Sequence, residues 1–265
     1  MTEPVVVTGG TGELGRQVVR RLVSAGREVR LVSRRPRPAA DHEPYGWATA
    51  DLMSGDGLRD ALAGAGTVVH CAGRHRPGED VAAARTLLAA AQATAVGHLV
   101  SISIVGIDRI PFGYYRGKVE IERAIAGSGV PYTILRTTQF HELLRTILAL
   151  AARAPVMPVP DLRFQPIDAG AVAARLVELA GSPPEGRVAD LGGPETHALT
   201  DLARAYLTRT GRRRPILPLR LPGAAVAAFR RGEHLAPDHP TDGPTFVDHL
   251  AAVADPRSTR YGGGR

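Results

Sequence analysis

A short β-branched run, Val5-Val6-Val7, leads directly into Thr8-Gly9-Gly10-Thr11-Gly12-Glu13-Leu14-Gly15. A helical pattern follows, with apolar residues at Leu14, Val18, Val19 and Leu22 and a stop near Gly26. Strand, glycine loop and helix in that order leave few folds open. Gly9, Gly12 and Gly15 supply a sharp turn, a close approach of backbone to a pyrophosphate, and tight packing of helix on strand. The N-terminus of the helix adds free N–H groups and the positive end of its dipole, both suited to phosphate. A lone glycine motif is weak, but this context predicts a dinucleotide site along Thr8–Gly15.

Strand-like and helix-like segments then alternate. Strands are expected at 28–33, 47–50, 67–71, 98–103 and 132–136, and helices at 58–62, 80–95, 114–126 and 141–152. Such βαβα alternation predicts an α/β fold with a doubly wound parallel sheet of the Rossmann type. Beyond about residue 155 the prolines at 155, 158, 160 and 166 mark irregular connections. Helices at 169–180 and 199–207, a strand near 188–191 and helical stretches near 222–231 and 244–254 follow, and Gly262-Gly263-Gly264 is expected to fray. Residues 1–155 are thus the expected dinucleotide-binding core. Residues 156–265 complete the sheet and form a small substrate-binding lobe, over the sheet's carboxyl edge where open α/β folds bind ligands.

The second strand ends in Ser33-Arg34-Arg35, where sites that prefer NAD carry an acid for the ribose 2′-hydroxyl. A hydroxyl and guanidinium groups suit a 2′-phosphate through charge-assisted bonds, which predicts NADP(H) over NAD(H). Asp51-Leu52, after the third strand, is placed to cap the adenine, although an Asp there is also a common turn residue.

Tyr114 and Lys118 stand four residues apart in a helical stretch, hence on one face. A nearby ammonium favours the tyrosinate and would bring the phenol down from its ordinary value toward neutrality, where it can exchange protons. Lys118 is the only lysine among 33 basic residues. Where a generic cation serves, this chain uses arginine, so a retained lysine points to a need for a compact ammonium. Ser101 and Ser103 lie on one face of the fifth strand, and Ser103 is the better placed to hydrogen-bond a substrate carbonyl.

The remaining features bound the partners. A formal charge of +7 raises nucleic acid, but the charge is dispersed, and its densest stretch, Arg209 to Arg214, fits a solvated helix end. An anionic cofactor or substrate also exploits a positive field, so a small-molecule substrate is expected rather than nucleic acid. No apolar run approaches a membrane span. A single cysteine, Cys71, fits a reducing compartment, and with no signal-like start the expected location is the cytoplasm. No metal site and no oligomeric state are specified.

Together, Thr-Gly-Gly-Thr-Gly-x-x-Gly, Ser103 and Tyr114-x-x-x-Lys118 resemble the short-chain dehydrogenase/reductase superfamily. Gly9-x-x-Gly12-x-x-Gly15 with Pro131-Tyr132-Thr133-Ile134-Leu135-Arg136 resembles its atypical branch, the NmrA-like NAD(P)H-binding proteins, over roughly residues 4 to 210. The resemblance implies Tyr114 as catalytic acid/base, Lys118 on the nicotinamide ribose and Ser103 orienting the substrate oxygen. Where many members have Asn-Ala-Gly after the fourth strand, this chain has Cys71-Ala72-Gly73. Gly73 still allows the backbone to approach the cofactor, and Cys71 reads as packing more than as a nucleophile. Gln139, Phe140 and His141, after the sixth strand, are expected to line the substrate pocket. The implied activity is an NADP(H)-dependent oxidoreductase acting on a small carbonyl, quinone, enone or alcohol. Alternatives on the same core are a dinucleotide-sensing regulator without turnover and sugar-nucleotide epimerase or dehydratase chemistry.

Overall fold

The computed structural model describes residues 3–73 and 77–259, so the tri-glycine end expected to fray lies outside the described residues. In chain order the elements are β1 (Val5–Thr8), α1 (Glu13–Ser24), β2 (Val29–Ser33), β3 (Gly46–Thr49), α2 (Leu58–Leu62), β4 (Thr67–His70), α3 (Pro77–Ala93), β5 (His98–Ile104), α4 (Gly113–Ala126) and β6 (Tyr132–Thr137). There follow α5 (His141–Ala151), β7 (Met157–Pro160), β8 (Arg163–Phe164), α6 (Ala169–Ala180), β9 (Gly186–Arg187), β10 (His197–Ala198), α7 (Leu199–Thr210), β11 (Ile216–Leu219), α8 (Ala224–Arg230) and α9 (Phe246–Ala252). They group into two units, one of residues 1–103, 113–136 and 172–189, the other of 104–112, 137–171 and 190–265. Neither unit is a continuous stretch of chain.

The first unit holds a seven-stranded sheet in the order β3-β2-β1-β4-β5-β6-β9. Its pairings β1–β2, β1–β4, β2–β3, β4–β5 and β6–β9 are parallel. This is the Rossmann-type doubly wound sheet that the alternation predicts. β1 is buried along its whole length, as a central strand covered on both faces must be, and this is why it reads as an unbroken Val-Val-Val run. The chain turns from β1 toward β2 and β3 on one side, then crosses to β4 on the other. The carboxyl ends of β1 and β4 therefore flank the switch point, where such sheets bind ligands. Leu14, Val18, Val19 and Leu22 of α1 are buried, on the expected face. One core cluster joins Val6, Val68 and Leu99 of the sheet to Leu58 and Leu62 of α2 and Leu87 of α3.

The helix carrying Tyr114 and Lys118 is tied to the sheet by a buried ion pair. Arg136 on β6 donates Nε to Glu122 Oε1 at 2.9 Å and Nη2 to Oε2 at 2.6 Å, with both side chains largely out of water. This bidentate fork sets where α4 lies on β6.

In the second unit α5, α7, α9 and β7 close around Leu144, Leu148, Met157, Leu202, Tyr206 and Phe246. Here the sequence expectations need correction. The proline-marked stretch holds β7, which pairs in parallel with β11, and β8, which pairs antiparallel with β10. Pro158, Pro160 and Pro218 sit within the β7–β11 ribbon, where a strand with no second neighbour tolerates the missing N–H. α7 continues three residues past 207 and ends at Gly211, whose φ of +64° suits a left-handed cap. The strand expected near 188–191 is β9 at 186–187, continued by the Val188 N–H donating to Ile134 O at 3.1 Å.

Candidate functional site

The glycine loop is held in a shape that side chains would break. Gly9 has a φ of +72°, and a Cβ placed on it would stand 2.6 Å from Ala72 N and 2.7 Å from Cys71 C. A Cβ on Gly15 would overlap Gly9 O and lie 2.7 Å from Gly10 Cα. Gly12 is different: its φ is ordinary and a Cβ would meet only Gly9 O, at 3.2 Å. Its N–H donates to Gly9 O at 2.9 Å, and it caps α1 with no side-chain hydrogen bond to the helix amides. An uncapped helix start behind a side-chain-free loop fits a dinucleotide pyrophosphate, which would bring its own oxygens to those amides.

The same packing joins the loop to Cys71-Ala72-Gly73 beyond β4, where the Cys71 N–H donates to Thr8 O at 3.0 Å. Burial pushes the Cys71 thiol up to about 12, so it is neutral and packs rather than attacks. At Gly73 a Cβ would come within 3.9 Å of Lys118 Nζ. The glycine loop, the segment after β4 and the only lysine are thus contiguous within the first unit.

Around Lys118 the expectation from spacing changes. Lys118 Nζ stands 5.7 Å from the centroid of the Tyr114 ring, one helical turn back. It also stands 3.4 Å from Asp80 Oδ2 on α3, with the Asp80 side chain 5% exposed and that of Lys118 14%. The Tyr114 phenol does not move toward neutrality. Burial, and then the Asp80 carboxylate, push it up to about 12, so it is a protonated donor at neutral pH. The sequence argument supplied the ammonium and missed the carboxylate that offsets it.

A second group missed from sequence is His70, the last residue of β4. Its Nδ1 lies 2.7 Å from Thr8 Oγ1 across the β1–β4 pairing. Burial, with the Lys118 charge second, lowers the His70 imidazole to about 4, leaving it neutral. Its position at the end of a strand bordering the switch point was the available signal. Ser103, on β5, is buried, and its hydroxyl has no hydrogen-bond partner among the described residues.

At the adenosine end, Ser33 Oγ accepts from the Arg35 N–H at 3.2 Å, and the side chains of Arg34 and Arg35 are exposed. Arg37 is anchored by Asp41 at 3.2 Å and by Tyr45 O at 3.2 Å, with its guanidinium 5.1 Å from the Tyr45 ring centroid. Arg37 therefore shapes the loop. Asp51 Oδ1 accepts the Met53 N–H at 2.7 Å, the turn role that sequence left open.

The residues expected to line a substrate pocket belong to the second unit. Gln139 is 8% exposed, and neither atom of its amide has a partner among the described residues. Half-buried Phe140 precedes α5 as its N-cap residue. His141 is fully buried, its ring edge-on to Phe246 at 5.8 Å and to His249 at 5.1 Å. Among the described residues no helix is long and apolar enough to cross a membrane, and no group of three or more His, Cys, Asp or Glu could hold a metal.

A parallel doubly wound sheet with a glycine loop at its switch point defines a dinucleotide-binding protein. Comparison with known proteins agrees: residues 9–179 match the model of the NAD(P)H-binding family. The chain belongs to that family, within the atypical short-chain dehydrogenases/reductases. It is 27% identical over 217 residues to quinone oxidoreductase 2 of Escherichia coli, covering 78% of this chain and 75% of the relative. It is 32% identical over 240 residues to the (4-alkanoyl-5-oxo-2,5-dihydrofuran-3-yl)methyl phosphate reductase of Streptomyces griseus, covering 85% and 79%. In fold it is similar to the E. coli NADPH-dependent quinone oxidoreductase complexed with NADPH, at a TM-score of 0.77 and 21% identity over 93% and 98% of the two chains. A Staphylococcus aureus nucleoside-diphosphate-sugar epimerase gives a TM-score of 0.76 at 20% identity over 93% and 99%, a likeness of fold alone.

Proposed function

We propose that this chain reduces a small cyclic carbonyl compound, a quinone or a related ring ketone, using NADPH in preference to NADH, with Tyr114 as the proton donor. It is an NAD(P)H-dependent oxidoreductase. The observation that carries the finer reading is the Tyr114–Lys118 pair on α4, with Lys118 against Gly73 and Tyr114 held in its protonated form.

The glycine loop and the start of α1 would hold the pyrophosphate. Arg34 and Arg35, exposed beyond β2, would meet a 2′-phosphate, and Asp51 with Leu52 would border the adenine. Cys71-Ala72-Gly73 would flank the nicotinamide half, with Lys118 on its ribose. The bound dinucleotide supplies a hydride. The chain's own residues orient the carbonyl, exclude water and give the oxygen its proton, so that one hydride and one proton would convert a ring ketone to CH–OH, or a quinone to its hydroquinone. Tyr114 suits the donor role because its phenol is neutral at physiological pH. Ser103 has a buried hydroxyl with no partner among the described residues, which would bind the substrate oxygen. Within the second unit, the Gln139 amide is buried with no partner among the described residues, Phe140 is half-buried, and the His141 ring is packed on Phe246 and His249. The names of the two relatives denote a quinone and a 5-oxo-2,5-dihydrofuran, an unsaturated lactone, which supports an unsaturated ring compound bearing a carbonyl here.

The test is titration of purified protein with NADPH and NADH, followed by NADPH consumption over quinones, cyclic ketones and enones, with Tyr114→Phe alongside. Tight NADPH binding with consumption lost in Tyr114→Phe is the expected result. Binding without turnover on any class would replace the enzyme reading with that of a dinucleotide sensor.

A further inference from the structure

We infer that Asp80, on α3, is a positioning residue of this site: its carboxylate anchors the Lys118 ammonium and cancels the charge that Lys118 would otherwise lend to Tyr114. The inference rests on the proposed role of the Tyr114–Lys118 pair. Its consequence is a site built for reduction, in which the phenol arrives carrying the proton it must give away.

The geometry is specific. α3 packs along α4. Asp80 lies in the first turn of α3, buried within the first unit, and its Oδ2 stands 3.4 Å from Lys118 Nζ. A carboxylate that far from water needs a cation beside it, since an unpaired buried charge costs several kcal/mol. Lysine supplies a compact charge at the end of a long stem, which reaches Asp80 while staying 5.7 Å from the Tyr114 ring centroid. An unaccompanied ammonium at that separation would stabilise the tyrosinate; with a carboxylate between 3 and 4 Å away the pair is a dipole whose field on the phenol is much smaller. Among the described residues the charged groups facing Tyr114 are Asp80 from α3 and Lys118 from its own helix. His70, at the end of β4, feels Lys118 and is neutral above about pH 4. No local signal marks Asp80 in the sequence, because its partner lies 38 positions later on another helix (118 minus 80).

Reduction and oxidation ask opposite things of the phenol. Reducing a carbonyl requires the neutral form as donor, whereas oxidising an alcohol requires the tyrosinate as base. Removing the carboxylate should therefore move the pH dependence of both directions downward together, since the phenol then loses its proton at lower pH.

The experiment compares wild type, Asp80→Asn and Asp80→Glu by two readouts. One is ultraviolet titration of the phenols, with the Tyr114 signal assigned by difference from Tyr114→Phe in each background. The other is the pH profile of kcat/KM for reduction of the best quinone or cyclic ketone. Asp80→Asn should lower the Tyr114 midpoint by about one unit or more and move the basic limb of the profile down by a similar amount. Asp80→Glu should restore most of both. Unmoved midpoints in Asp80→Asn, whatever its rate or melting temperature, would overturn the inference and leave Asp80 a structural residue. If Tyr114→Phe keeps wild-type turnover, the proposed function fails by itself, and the titration still decides whether Asp80 sets the phenol.

Discussion

Replacing Gly12 with alanine should weaken cofactor binding while leaving the fold nearly intact, and the neighbouring glycines provide the scale. At Gly9 an alanine meets two penalties. A φ of +72° costs a residue with a Cβ about 1–2 kcal/mol. The approach to Ala72 N at 2.6 Å forces backbone apart, an overpacking penalty of about 1–3 kcal/mol. Gly9→Ala should thus cost about 2–5 kcal/mol, or roughly 4–20 °C in melting temperature at about 2–4 °C per kcal/mol for a chain of this size. Gly26 has nearly the same φ, +69°, but nothing within 4 Å, so Gly26→Ala should lose only the conformational part, about 1–2 kcal/mol. Gly12 has an ordinary φ of −79° and one contact, Gly9 O at 3.2 Å, so Gly12→Ala should cost about 1 kcal/mol as a poorer helix cap. A methyl group there occupies the space a pyrophosphate needs, and the NADPH dissociation constant should rise at least about tenfold, equivalent to about 1.4 kcal/mol. Thermal melts without cofactor and fluorescence titration with NADPH read the two effects separately. Wild-type affinity in Gly12→Ala would refute the close approach of phosphate. Equal destabilisation of Gly26→Ala and Gly9→Ala would refute the packing argument.

Lys118→Arg should lower kcat at least about tenfold with a melting temperature within a few degrees of wild type, since the charge is kept but the compact ammonium beside Asp80 and Tyr114 is lost; undiminished turnover would remove the need for a lysine. Arg34→Ala with Arg35→Ala should weaken NADPH by about 10- to 100-fold, the worth of one or two hydrogen bonds to a charged group, and leave NADH unchanged; equal loss for both dinucleotides would mean that these residues do not read the 2′-phosphate. Glu122→Gln takes the carboxylate charge away from the buried Arg136 and should destabilise by about 3–5 kcal/mol in urea unfolding, whereas a cost under about 1 kcal/mol would show the pair to be dispensable. Acid should act through His70, His234 and His249, each held near 4 chiefly by burial. Their folded values lie below the unfolded value of about 6.5, so the unfolded chain binds more protons. The stability they contribute is complete above about pH 6.5 and declines as pH falls through 4, by up to about 1.4 kcal/mol per pH unit for each. His234→Phe should flatten that decline in melts taken between pH 7 and 4.5, and an unchanged slope would clear His234.

The parts of the fold legible in the sequence are those governed by local rules. β1 is an uninterrupted β-branched run because it is covered on both faces, and α1 shows its buried stripe at helical spacing. The ribbon of β7 and β11 was hidden because Pro158, Pro160 and Pro218 argue against strands, an argument that holds for central strands and not for a two-stranded ribbon. In the site, the Tyr114–Lys118 spacing marked one helix face, yet the protonation state of the phenol depends on Asp80 from another helix. Arg37 stands two positions beyond Arg35 in the chain, and its anchoring by Asp41 and Tyr45 shows only in the fold. Short-range chemistry was readable from the chain. Long-range pairing of charges was not, since no periodicity encodes which helix lies beside which.

The retention of a single lysine has a practical side. Thirty-two of the 33 basic side chains are guanidinium groups, and the remaining one, Lys118, carries the chain's sole ε-amine, 14% exposed against Asp80. Acylating or alkylating reagents aimed at lysine therefore have one possible target, and it lies one helical turn from the phenol. Labelling kinetics at that amine would report on this corner of the molecule without any engineered tag. By the same token, lysine-directed cross-linking, surface coupling or acetylation has no second lysine to take, so attachment chemistry that must spare the site has to go through arginines or carboxylates away from it.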